Sequence, residues 1–152
     1  MPEQANTLVS LELSTGEWAE ELAAISKRRN LFERSMRTTI AGAFRFGQQA
    51  NKTKDTPKKR VLSSLDAKRR AQLDPFRLEE ILERLYFLEV KVLVEKNWPD
   101  FEQIFGDHRA FEQNMTIVND RPDTHAKALD LADVALQRRA MDWLEERLAK
   151  LD

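Results

Sequence analysis

The sequence predicts an all-α protein, a bundle of four or five helices forming a single domain over residues 1–152. Two observations carry this. Four glycines and five prolines in a chain that is 34% charged and 41% hydrophobic favour helices over sheets. Apolar residues also recur at three- and four-residue spacing along most of the length, the period of a helix with one buried face. A chain of 152 residues is most naturally one domain and can bury most of the surface its unfolded form exposes.

The elements follow in order. In "STGEWAEELAAI", Ser14 and Glu17 stand at capping-box spacing. Trp18, Leu22, Ile25, Leu31, Met36, Ile40 and Phe44 then mark a helix from about Gly16 to Gln48, with "KRRN" as a place for a break. Residues 49–60 lack periodicity and read as a basic loop, and "VLSSLDAKRRAQL" carries a short helix. The clearest element is "DPFRLEEILERLYFLEVKVLVEKN". Asp74 caps it, Pro75 takes the first helical position, and Leu78, Ile81, Leu82, Leu85, Leu88, Val92 and Leu93 form its stripe. Tyr86, Phe87, Val90 and Val94 add apolar surface on other sides, so this should be the central, most buried helix.

Trp98-Pro99 ends that helix and Pro99 starts another, "PDFEQIF", which Gly106 closes. A helix over "DHRAFEQNMTIVN" comes next. Pro122 opens the last, with Leu129, Ala132, Leu136, Ala140, Trp143 or Leu144, and Leu148 at helical spacing. Leu131, Val134 and Met141 are then spare apolar residues on that helix, a surface for a homodimer.

Several chemistries are excluded. There is no cysteine, hence no disulfide framework, thiolate or sulfur metal site, which fits a cytoplasmic protein. Gly16, Gly42, Gly47 and Gly106 stand alone, so no phosphate-cradling loop forms. A di-iron bundle needs a glutamate three residues before each histidine, but Phe105 and Pro122 hold those places. No glycine-flanked serine turn is present. No metal and no cofactor are therefore expected. No apolar run reaches the roughly 20 residues of a membrane span, and "MPEQANTLVS" lacks the basic start and apolar block of a signal peptide.

Net charge is −1, but it is unevenly spread. From Phe44 to Arg70 nine Lys/Arg face two Asp, while from Ala71 onward 11 Lys/Arg face 18 Asp/Glu. Such a basic block can meet polyanions through phosphate, or it can be a solvated loop. Lys58, Lys59, Arg60, Lys68, Arg69, Arg70 and the more distant Lys127 are the candidates for touching RNA. No aromatics interleave Lys52 to Arg70 for base stacking.

The polar cluster in "MTIVNDRPDTHAKALD" is the candidate site. Arg121 and His125 are four residues apart, close to one helical turn, beside Asn119, Asp120 and Asp123. With Pro122 at the first helical position, Arg121 stands at a helix N-terminus, where unpaired N–H groups attract phosphate. Arginine grips phosphate oxygens in bidentate fashion and histidine titrates near neutrality. The pair could cleave RNA without metal, one group moving protons and the other steadying the pentacoordinate phosphate. The same residues also suit a packed or capping histidine and a surface ion pair.

The segment "YFLEVKVLVEKNWPDFEQIFGDHRAFEQNMTIVNDRPDTHAK" resembles the HEPN superfamily, helical-bundle domains of prokaryotic toxin, defence and RNA-processing systems. The likeness lies in a helix, a tryptophan break with "W..F...F", a helix, then Asn, Arg and His heading the last long helix. "FERSMRTTI" is similar to an upstream Glu-then-Arg helix of these domains. The motif-bearing part is 75–148, within about 110 residues of likeness. The resemblance implies a homodimer acting as a metal-independent endoribonuclease, with Arg121 binding phosphate, His125 moving the proton, and Asn119 and Asp123 orienting them. In an interaction module the basic block could instead bind an acidic partner, such as an antitoxin or a component of a larger defence complex. The pattern departs from the family's at one point: "RPDTH" places three residues between Arg and His where four to six are usual, and a proline follows the arginine. A non-catalytic HEPN-like module for protein or nucleotide binding is the alternative reading.

Overall fold

A computed structural model describes residues 15–120 and 131–150, and they hold eight helices and no strand. Ser14, Arg121, Asp123, His125 and Lys127 lie outside the described residues. Helix α1 (Thr15–Gln49) is continuous over 35 residues, without the break expected near "KRRN". Between Gly16 and Gly42 it contains neither glycine nor proline, and Lys and Arg are good helix formers. Ile25, Phe32, Met36, Ile40 and Phe44 make its buried face. Leu31, expected in that stripe, lies one helical step away and is 52% exposed.

The expected loop 49–60 is only partly a loop. After a turn, Thr56 Oγ1 accepts from Lys59 N (3.2 Å) and Pro57 enters the first turn of α2 (Pro57–Ser63). Asp66 caps α3 (Ala67–Leu73) by accepting from Arg69 N at 2.8 Å. Lys58, Lys59 and Arg60 are therefore helical.

The single helix expected over residues 74–97 is two. Asp74 closes α3 instead of opening a helix. Helix α4 (Leu78–Arg84) starts after Arg77, and α5 (Phe87–Lys96) starts after Tyr86. Leu85 and Tyr86 are extended between them. Two arginines from other helices hold the break. Arg37 of α1 donates to Leu82 O (2.6 Å) and Leu85 O (3.1 Å), and Arg69 of α3 donates to Arg84 O (2.6 Å). They satisfy carbonyls that a continuing helix would have bonded itself. Glu89 accepts from Tyr86 N at 2.9 Å and starts the new helix. The break shifts the phase: Phe87, Val90, Leu93 and Val94 enter the core, whereas Leu88 is 52% exposed.

Helices α6 (Trp98–Phe105) and α7 (His108–Asn119) are joined at Gly106, whose φ of 77° suits glycine. Asp107 caps α7 through Ala110 N. Helix α8 (Leu131–Ala149) packs most extensively on α7 and then on α1. Its buried face is Val134, Gln137, Ala140, Met141 and Leu144. Leu136, expected in the stripe, is exposed, while Val134 and Met141, expected to be spare for a dimer, are core residues. Phe105 joins the last helices, 4.6 Å from Phe111 and 6.4 Å from Trp143 between ring centres. Burying a ring of this size contributes about 2–3 kcal/mol.

Candidate functional site

Of the polar cluster, Asn119 and Asp120 fall within the described residues. Asn119 is the last residue of α7 and half-buried, and Asp120 follows it as the cap. The buried Gln137 of α8 reaches back to this end. Its side-chain amide donates to Ile117 O and to Asp120 O (3.0 Å). Both are carbonyls of the helix terminus, so one side chain ties α8 to the point where the cluster begins. The positions of Arg121, Asp123, His125 and Lys127 lie outside the described residues.

The other histidine, His108, serves packing. Its ring stacks on Trp98 at 4.4 Å and 13°, and Nε2 lies 3.3 Å from Glu95 Oε2. Lys91 reaches the same carboxylate at 3.0 Å. No cluster of metal-ligating side chains occurs among the described residues, and none of their helices is long and apolar enough to cross a membrane.

The three arginines among the candidate RNA-binding cations are engaged within the fold. Arg60 grips Asp100 with two bonds (2.5 and 3.1 Å) and Asn97 Oδ1 (3.0 Å), its guanidinium lying 4.2 Å from the Phe44 ring centre. Gly47 stands against this pair, where an added Cβ would come within 3.4 Å of both partners. Arg69 binds Glu89 at 3.0 Å and stacks on Tyr86. Its hydrogen bonds with Glu89 hold its pKa above the usual arginine value. Arg70 donates to Leu62 O (3.1 Å) and Leu65 O (3.0 Å), closing α2. Lys58 donates to Asp74 O (2.7 Å), and Lys59 pairs with Asp55 at the surface. Lys68 is exposed. Arg45 pairs with Glu79. The basic block thus meets carboxylates and carbonyls drawn largely from the acidic remainder of the chain.

A second feature was not foreseen. An open groove of about 1340 Å³ runs along α1 from Leu31 to Phe46. Pro99, Gln103 and Ile104 of α6 and Glu145 and Leu148 of α8 line it as well. Leu31 and Phe46 are exposed on it, at 52% and 60%. Its volume exceeds the ~300–1,000 Å³ of ordinary small-molecule pockets. Signals for it exist in the sequence: Leu31 and Phe46 are apolar out of phase with the core face of α1, and Ser35, Thr39 and Gly42 are small residues between them.

Comparison of the chain with protein-family models, curated proteins and solved structures finds no match. The HEPN likeness therefore stands on the quoted residues alone.

Proposed function

We propose that this chain is a non-catalytic, HEPN-like helical module that binds a protein partner in the cytoplasm. One contrast carries the reading: the cations that would serve RNA are largely bonded within the fold, while an amphipathic groove stays open along α1. An antitoxin or a component of a larger defence complex is a partner of the right kind. The test is incubation of the purified chain with a mixed RNA pool in EDTA. No cleavage by wild type is the expected result. Metal-independent cleavage that disappears in His125→Ala would overturn the reading.

The second reading is the metal-independent endoribonuclease, with Arg121 and His125 from two copies completing one cleft. It is favoured by the anchoring of Ile117 and Asp120 through Gln137, which gives the polar cluster a fixed point of departure. It requires a particle of twice 17.7 kDa by light scattering. It also requires products ending in a 2′,3′-cyclic phosphate and a loss of roughly 100-fold or more in Arg121→Ala.

A further inference from the structure

Resting on the interaction-module reading, we infer that the α1 groove receives an acidic amphipathic helix of a partner protein, laid along α1 from Leu31 to Phe46. Length comes first. The fifteen steps from Leu31 to Phe46 rise about 22 Å, so the groove accommodates about four turns of a second helix. An apolar stripe at i, i+4, i+7 and i+11 would face Leu31, Ala43, Phe46, Ile104 and Leu148.

Charge selects the sign of the partner. Both carboxylates that line the groove are neutralised in place, Asp100 by Arg60 and Glu145 by Arg28. Of the two remaining cations, Arg34 is exposed with no carboxylate bonded to it, and Lys52 lies over the Phe46 ring at 5.0 Å. They stand near opposite ends of the groove, so a helix with a glutamate near each end would pair both.

Gly42 adds an independent observation. A glycine inside a helix is less favourable than alanine, and here a Cβ would meet nothing within 4 Å. The fold itself thus does not need this residue to be bare. A helix approaching α1 closely does.

RNA fits the groove less well. Phe46 is its one well-exposed aromatic among the described residues and the rest of the apolar lining is chiefly aliphatic, so successive bases have little to stack on.

The experiment is fluorescence anisotropy with three labelled probes of about four helical turns or equivalent length. These are an amphipathic peptide with glutamates flanking the apolar stripe, the same peptide with lysines in their place, and oligouridine. Wild type is expected to bind the acidic peptide about tenfold tighter than the lysine peptide, and less tightly at high salt. Gly42→Phe, which places a ring in empty space, should abolish that binding without loss of helical circular dichroism. Arg34→Glu should weaken the acidic peptide and strengthen the lysine one. Equal binding of the two peptides, displacement by oligouridine, or indifference to both variants would each overturn the assignment. The RNA-cleavage assay is run on the same samples. Failed peptide binding without cleavage removes the groove assignment alone, whereas cleavage removes the module reading whatever the peptides do.

Discussion

Arg60 and Arg34 carry the same guanidinium and meet opposite surroundings. Arg60 is largely buried, bidentate on Asp100, bonded to Asn97 and stacked on Phe44. Arg34 projects from α1 beside an open groove with no carboxylate bonded to it. In the sequence, Arg60 belongs to a dense basic run and Arg34 to a mixed one. Charge density along the chain is thus a poor guide to charge on the surface here. The arginines of the dense run are engaged by the fold, and the sparser cation remains available.

Changing Arg60 should sharpen this contrast most. Arg60→Ala leaves Asp100 partly buried and unpaired, and should cost about 3 kcal/mol in denaturant unfolding. Replacing both residues, as in Arg60→Met with Asp100→Leu, should recover much of that loss, because the buried charges leave together. A loss below about 1 kcal/mol for Arg60→Ala would show the pair behaving like a surface bridge and would erase the distinction.

Arg69→Ala comes next, at about 2 kcal/mol, since Glu89 and Arg84 O lose a charged donor together. Amide exchange should rise at Leu85 and Tyr86 before it rises in α5. Uniform exchange across α4 and α5 would mean that Arg37 alone holds the break.

Gly42→Ala should act in the other direction, raising stability by about 0.5–1 kcal/mol, because helix propensity improves and nothing is crowded. A destabilising effect would show that the groove floor is packed in solution. The smallest effects belong to Arg34→Ala and Lys68→Ala, each within about 0.5 kcal/mol of wild type in thermal unfolding. A larger loss at either would place that cation among the structural ones.

The places where sequence reasoning succeeded share a local cause. Pro99 near the start of α6, Gly106 at its end and the helix over His108–Asn119 all rest on interactions within a few residues. The misreadings share a non-local cause. Near Leu85 the local mark is the Tyr86 N bond to Glu89, and the other donors that stabilise the break, Arg37 and Arg69, come from 48 and 15 residues away. The same break moved Leu88 outward and Phe87 inward. On α8, Val134 and Met141 rather than Leu136 were drawn into the core by contact with α7 and α1. The groove was legible only as out-of-phase residues, Leu31 and Phe46, which acquire meaning once α6 and α8 stand beside them.

By itself, the sequence determined that the chain is helical, where glycine and proline punctuate it, and that it carries a basic block and an Asn-Arg-His cluster. Composition, periodicity and capping act over one or two helical turns, so the order of residues is enough to specify them. The tertiary structure alone decided which cations are committed and which remain at the surface. Asp100 lies 40 residues from Arg60, and Glu89 lies 20 from Arg69. Pairing across such separations follows from how helices pack, and ridges and grooves on those helices, not local propensity, choose the partners.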